Sequence, residues 1–296
     1  MSDPQESSFG EKTRSLIQFS LDALPGMYCS DRGLFCNYRT IDQQRVGVSV
    51  RYTLICLLGL YQADKAGYGS PFDLDALYEQ AHKEVEAKIA DMGLLLWAGS
   101  LIGRTENEDV YQKLAIQLER DDLAQLTGME LGLALTGLLA YARSQNIKEA
   151  FSSAERLKNL IVERCLDRAS GLFFHTAGAA LRRKYPNFAT QIYLMYGLAR
   201  YALYTEDREA AKVATGCADH LCELQRSDGG WPWIYHATSG RVVEDYEIYS
   251  VHQDGMMPMA LLEVGEANSK VYREAIQKGL QWLYGENELK TSMVDA

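Results

Sequence analysis

Proline and histidine are both scarce in these 296 residues, at 6 and 5, and no two cysteines form a Cys-x-x-Cys pair. Without such pairs, Cys29, Cys36, Cys56, Cys165, Cys217 and Cys222 read neither as a disulfide framework nor as a paired-thiolate site. Cys56 and Cys165 fall in apolar helical patterns, where a reduced cysteine behaves as a small hydrophobe. Cys217, His220 and Cys222 lie close together. On a helix, however, a five-residue spacing turns two side chains about 140° apart, so no metal is expected there. His-Glu-x-x-His, P-loop and Gly-x-Gly-x-x-Gly patterns are missing as well, and no cofactor is expected.

Positive charge is in deficit, with 30 Lys and Arg against 40 Asp and Glu and a formal charge of −10. A general nucleic-acid binder depends on Lys and Arg neutralising phosphates, so nucleic acid is excluded as a partner class. No apolar run approaches the roughly 18 residues of a membrane span. Residues 1–10 are polar and acidic, unlike a secretory signal, and a cytoplasmic protein is expected. A chain of this length buries about three quarters of its unfolded surface without a disulfide or metal.

What the sequence does contain is repetition. Three segments share a small turn, an aromatic pair, a polar excursion and then an apolar helix. They start at Asp31-Arg32-Gly33-Leu34-Phe35, Ser170-Gly171-Leu172-Phe173-Phe174 and Asp228-Gly229-Gly230-Trp231. In the third, Ala237-Thr238-Ser239-Gly240 separates two β-prone runs and predicts a β-hairpin. Amphipathic helical patterns cover 11–24, 74–89, 109–119, 148–165, 208–224 and 271–284. Alternating with them, 48–61, 92–103, 128–142, 188–203 and 258–264 are apolar nearly all round, the mark of a helix buried on every side.

Alternating amphipathic and buried helices describe two concentric rings. The prediction is an all-α protein, an α/α toroid of about six helical hairpins with short β-hairpin excursions at one mouth. An open solenoid of the same hairpins is the alternative; uneven hairpins with β-excursions favour the ring. One domain over residues 1–296 follows, because neither ring buries its faces alone, with 1–10 as a flexible lead. The last inner helix is missing, or the tail 287–296 replaces it, or a second subunit closes the ring, so an oligomer is allowed.

The run Gln225-Arg226-Ser227-Asp228-Gly229-Gly230-Trp231 resembles the Gln-x-x-Asp-Gly-x-Trp repeat of terpenoid cyclases and protein prenyltransferases. Similar helix-end motifs occur in six-hairpin glycosidases and related sugar epimerases. The resemblance spans about residues 210–285. It implies an α/α toroid in which Gln225 and Trp231 tie a helix end to its neighbour. The catalytic motifs carry over poorly. The nearest match to the cyclases' Asp-x-Asp-Asp is Asp73-Leu74-Asp75-Ala76, which lacks the last carboxylate and reads as a helix N-cap. The prenyltransferases hold zinc with Asp, Cys and His. Asp245 and His252 stand in comparable places, but no cysteine is near them, so no zinc is expected.

In a toroid the outer-to-inner connections emerge at one end, so the polar excursions meet at one mouth. The densest stretch, residues 244–258, carries the candidate catalytic groups Asp254, His252, Asp245 and Glu247. Asp254 would be a general acid whose pKa burial raises, His252 a proton donor or acceptor near neutrality, and Asp245 or Glu247 the second carboxylate of glycoside hydrolysis. The plainer alternatives are a helix cap for Asp254 and a hydrogen-bonded core ring for His252.

Trp233, Trp231 and Tyr249 offer flat faces for sugar rings, although Trp231 also fits the turn. Tyr38, Arg39, Arg51, Gln191 and Arg183 add polar substrate contacts. Glu130 sits in an apolar helix, where it pairs with a group such as Arg51, faces the central cavity, or occupies a helix N-terminus.

Three functions compete. The first is a carbohydrate-active enzyme working on a glycan by carboxylate and histidine acid-base chemistry. The second is a terpenoid cyclase or prenyltransferase-like enzyme with an isoprenoid in the central cavity. The third is a non-catalytic scaffold. The expected partner is thus a small molecule or oligosaccharide, alternatively an isoprenoid.

Overall fold

The computed structural model describes residues 4–119, 121–246 and 248–294. Helix α1 (Pro4–Met27) leads through two short hairpins into α2 (Val50–Lys65). These pair β1 (Tyr28–Cys29) with β2 (Leu34–Phe35), and β3 (Tyr38–Arg39) with β4 (Arg45–Val46). Helix pairs follow: α3 (Leu74–Glu84) with α4 (Ile89–Leu101), α5 (Glu108–Leu118) with α6 (Gly128–Gln145), and α7 (Lys148–Leu160) with α8 (Phe188–Thr205). Then α9 (Arg208–Leu224) passes through an antiparallel hairpin, β5 (Ile234–His236) with β6 (Arg241–Glu244), to α10 (Met257–Asn268). Last comes α11 (Arg273–Leu283).

Helices α2, α4, α6, α8 and α10 form the inner ring, each packed on the next. In α4, residues 89–99 are buried without a break, which is why its sequence shows no polar face. Glycines set the close spacing. A Cβ on Gly137 would collide with the Gly93 backbone, and one on Gly132 with that of Tyr193. The outer helices bury one stripe each; in α9 it is Ala210, Ala214, Cys217, Ala218 and Leu221.

Helix ends follow local chemistry. Ser49, Asp73, Thr127, Asn187 and Asp207 cap helix N-termini through their side chains. The expected helix over 74–89 stops at Glu84, where Val85 turns extended, and Ile89 already belongs to α4. The amphipathic pattern placed the start of the first helix at Glu11, whereas α1 begins at Pro4.

Cys217, His220 and Cys222 do not converge. The Cys217 thiol donates to Gln191 Oε1 at 3.6 Å, and His220 Nε2 lies 2.6 Å from the Gly240 carbonyl. No metal-ligand cluster occurs among the described residues. None of their helices is long and apolar enough to cross a membrane.

The ring has five inner positions filled in sequence, α2 to α10, and no inner helix between α10 and α2 among the described residues. The tail does not enter that interval. It folds back on α11, with Ser292 bridged to Tyr284 and the Met293 N–H donating to the Leu283 carbonyl at 2.8 Å. Instead α1 spans the opening from outside, turning Leu16, Ile17, Leu21 and Leu24 toward it.

Candidate active site at the ring mouth

All five inner helices start at the same end of the ring, and their first turns bring polar groups to one rim. On α2, the Arg51 Nε–H donates to Asp91 Oδ1 in the first turn of α4 at 2.6 Å. The Asp91 side chain is 11% exposed. Tyr193 of α8 faces the same guanidinium from across the ring. Burial pushes its phenol up to about 12, and Arg51 opposes that rise.

Glu130 is in the first turn of α6 and closes a capping box. Its Oε2 accepts from the Thr127 N–H and hydroxyl, both at 2.8 Å. Of the three environments open to Glu130, the structure thus shows the helix N-terminus, while Arg51 belongs to Asp91. Beside it, His175 Nδ1 lies 3.1 Å from Thr190 Oγ1. Burial and Arg182 hold the His175 pKa below its ordinary value, with Glu130 pulling it back.

The segment before α10 builds an aromatic wall on this rim. His252 opens a single π turn, His252–Met256, that runs into α10 and leaves Pro258 in the helix's first turn. Its ring stacks on Phe188 at 4.3 Å and on Trp233 at 5.5 Å and 11°, with Tyr249 edge-on at 5.2 Å. At 3% exposure, burial pushes His252 down to about 4, and its Nδ1 has no hydrogen-bond partner among the described residues. Burial in this apolar wall thus favours the neutral ring at pH 7.

Asp254, two residues on, is half-buried. Burial pushes its carboxyl up to about 6, against the pull of its own N–H and that of Gly255. It therefore changes charge close to neutral pH. It lines two adjoining cavities, of about 820 and 1090 Å³.

The remaining expected residues separate. Gln191 is fully buried and spent on Phe173, accepting from its N–H at 2.8 Å and donating to its carbonyl at 2.7 Å. It is not open to a ligand, because a backbone strand beside α8 needs both of those bonds. Trp231 is 1% exposed between Phe188 and Gly279. Gln225 Nε2 donates to the carbonyls of Gly229 and Ala275, tying α9 to α11. Arg183 lies over the Phe174 ring at 3.8 Å and donates to the Arg164 carbonyl.

Tyr38 and Arg39 are exposed on β3. Asp245 is exposed just beyond β6. Glu247 lies outside the described residues.

Asp91 was not singled out by sequence. Its signal was faint: one carboxylate in the first turn of a helix otherwise apolar all round, where burial demands a partner.

No protein-family profile and no curated relative matches this sequence. Solved structures do match its fold over most of their length. A sugar epimerase from a ruminal bacterium aligns with a TM-score of 0.71 at 9% identity, covering 94% of this chain and 86% of that one. The alpha-1,6-mannanase of Salegentibacter sp. HEL1_6, in complex with alpha-1,6-mannotriose, gives 0.65 at 12% identity, over 93% and 86%. The unsaturated glucuronyl hydrolase of Bacillus sp. GL1 gives 0.60 at 13%, over 93% and 83%. The molecule has the α/α-toroid fold of these structures. At these identities the likeness defines the architecture; chemistry has to be argued from the rim.

Proposed function

We propose that this protein is a carbohydrate-active enzyme that works on a glycan at the ring mouth. The observation that carries the reading is Asp254, a carboxyl that burial pushes up to about 6 and that shares a cavity wall with Tyr249, itself edge-on to Trp233 and His252. Such a carboxyl keeps enough of its proton near neutrality to deliver it to a leaving oxygen. Trp233 and Tyr249 supply faces against which a sugar ring stacks. His252 acts as a neutral member of that wall.

For the second carboxylate the rim offers Asp91. Its Oδ1 is held by Arg51, and its other oxygen takes no hydrogen bond among the described residues. Glu130 is the weaker choice because its Oε2 already serves Thr127. Asp245 and Glu247 stand as the sequence-based alternatives for that role. The kinship in fold with a mannanase, an epimerase and a glucuronyl hydrolase supports a glycan substrate.

An isoprenoid on the ring axis has less support, since Trp97 of α4 and Tyr196 of α8 meet inside the ring at 5.4 Å and fill that space. The test is a panel of neutral and acidic oligosaccharides, assayed for cleavage and epimerisation with the native protein and Asp254→Asn. The expected result is turnover of at least one glycan, reduced roughly 100-fold or more in the variant at unchanged melting temperature. Absence of binding across the panel, or an unimpaired variant, overturns the proposal.

A further inference from the structure

We propose that His175 accepts a hydrogen bond from a sugar hydroxyl through the lone pair on its Nε2, and that the sugar seated against the first turns of α6 and α8 is therefore neutral rather than a uronic acid. This deepens the glycan reading above and rests on it.

The main chain fixes His175 between those two turns. Its carbonyl accepts from the Gly128 N–H at 2.9 Å, where α6 begins, and Thr176 beside it is bridged to Thr127. Its Nδ1 faces the hydroxyl of Thr190, in the first turn of α8, at 3.1 Å.

Counting protons along that contact gives the tautomer. Asn187 Oδ1 accepts the Thr190 N–H at 3.0 Å, so the atom there is the amide's oxygen and cannot donate. The Thr190 hydroxyl lies 2.9 Å from the same oxygen and spends its only proton on it. Thr190 Oγ1 is left to His175 as an acceptor, so the proton between them belongs to Nδ1. Burial and the Arg182 charge disfavour a second proton on the ring, against the pull of Glu130. A neutral imidazole protonated at Nδ1 carries its lone pair on Nε2. That nitrogen takes no hydrogen bond among the described residues, and it is not among the unpartnered atoms sealed from solvent.

Other groups on this rim have the same polarity. Glu130 spends Oε2 on Thr127 and leaves Oε1 without a hydrogen bond among the described residues, and Asp91 holds Arg51 with one oxygen only. A ligand here meets lone pairs, which hydroxyl groups satisfy and a carboxylate, itself only an acceptor, does not. The competing partner for a uronate is Arg182, which is exposed, and exposed ion pairs contribute little. Thr190 and Asn187 are positioning residues, acting through the imidazole.

The first measurement needs no ligand. Long-range proton–nitrogen spectra of the full chain labelled with ¹⁵N-histidine, with His175→Gln for assignment, should show His175 neutral at pH 7.5 and protonated at Nδ1. Thr190→Val, which keeps the shape and removes the acceptor, should move the proton toward Nε2. A native ring protonated at Nε2, or charged, overturns the proposal.

The second measurement is calorimetric titration with mannotriose, cellotriose, galactotriose and trigalacturonate. We expect at least one neutral trisaccharide to bind more tightly than trigalacturonate and to shift the His175 Nε2 resonance. His175→Leu should weaken that binding about ten-fold, and His175→Gln, whose amide oxygen supplies an acceptor in place of Nε2, should restore most of it. Melting temperatures identify the folded variants; if His175→Leu does not fold, Thr190→Val takes its place with a loss of the same sign. Preference for trigalacturonate, or affinity indifferent to these substitutions, overturns the proposal and leaves the glycan reading standing. If none of these saccharides binds and the wider panel above is also silent, the glycan reading fails and takes this proposal with it.

Discussion

The Arg51 guanidinium and the Asp91 carboxylate, 2.6 Å apart, join the first turns of two neighbouring inner helices at the rim of the ring. Neither group is in open water, with side chains 29% and 11% exposed, so each is the other's main compensation for burial.

Arg51→Met leaves the Asp91 carboxylate buried without its partner. The expected loss is about 2 kcal/mol, below the full value for a deeply buried pair because Arg51 keeps some solvent contact. Urea titration measures it. The double variant Arg51→Met/Asp91→Leu should recover part of the loss, and failure to recover any would show that the pair is not what destabilises the single variant.

His252 and Asp254 should give opposite pH dependences that mask each other. The imidazole's pKa falls from 6.5 unfolded to about 4 folded, so the unfolded chain takes up the proton first and stability is lost as pH drops from about 6.5 to 4. Fully expressed, this is about 3 kcal/mol. The carboxyl's pKa rises from 3.8 to about 6, so the unfolded chain releases its proton first and stability is lost as pH climbs through that range. His252→Phe should therefore leave a protein that weakens from pH 4 to 6, and Asp254→Asn one that strengthens. Denaturation midpoints across pH 4 to 7 decide; parallel profiles for the two variants would refute the assignment.

Gln191→Leu removes both hydrogen bonds to Phe173, together with the weaker one from the Cys217 thiol, and strands the N–H and the carbonyl of Phe173. A loss of about 3 kcal/mol is expected, visible as a lower melting temperature. Activity per folded molecule should not change, and a fall in glycan affinity without destabilisation would mean that Gln191 contacts substrate after all.

Trp233→Leu should act in the opposite way. The indole is only partly buried in the wall with His252 and Tyr249. Its loss should weaken glycan binding about five-fold, with a smaller effect on melting than Gln191→Leu has. Calorimetric titration reads the affinity, and an unchanged affinity would remove Trp233 from the site.

Much of the architecture is local and was legible as such. Stretches apolar on every face, such as 128–142, become inner helices, and one-sided stretches such as 208–224 become outer ones, since periodicity states how many sides of a helix meet protein. The same holds for the hairpin around Ala237-Thr238-Ser239-Gly240 and the cap at Asp73, whose signals lie within a few residues of their effect.

The site was legible only in part. Residues 244–258 do set Tyr249 edge-on to His252 and put Tyr249 and Asp254 on one cavity wall. Yet polar side chains of equal promise ended differently, Gln191 consumed by a backbone and Asp254 left at a cavity wall.

Composition and periodicity by themselves thus determined that two layers of helix pack on each other with their polar connections at one end, and favoured a ring over an open solenoid. Ring closure decided the rest. It brought Asp91 to Arg51 across 40 positions of chain, buried His252 deeply enough to keep it neutral, and left the interval beside Gly59 open. Partnership and burial depend on which helices become neighbours, a long-range outcome that no local pattern encodes.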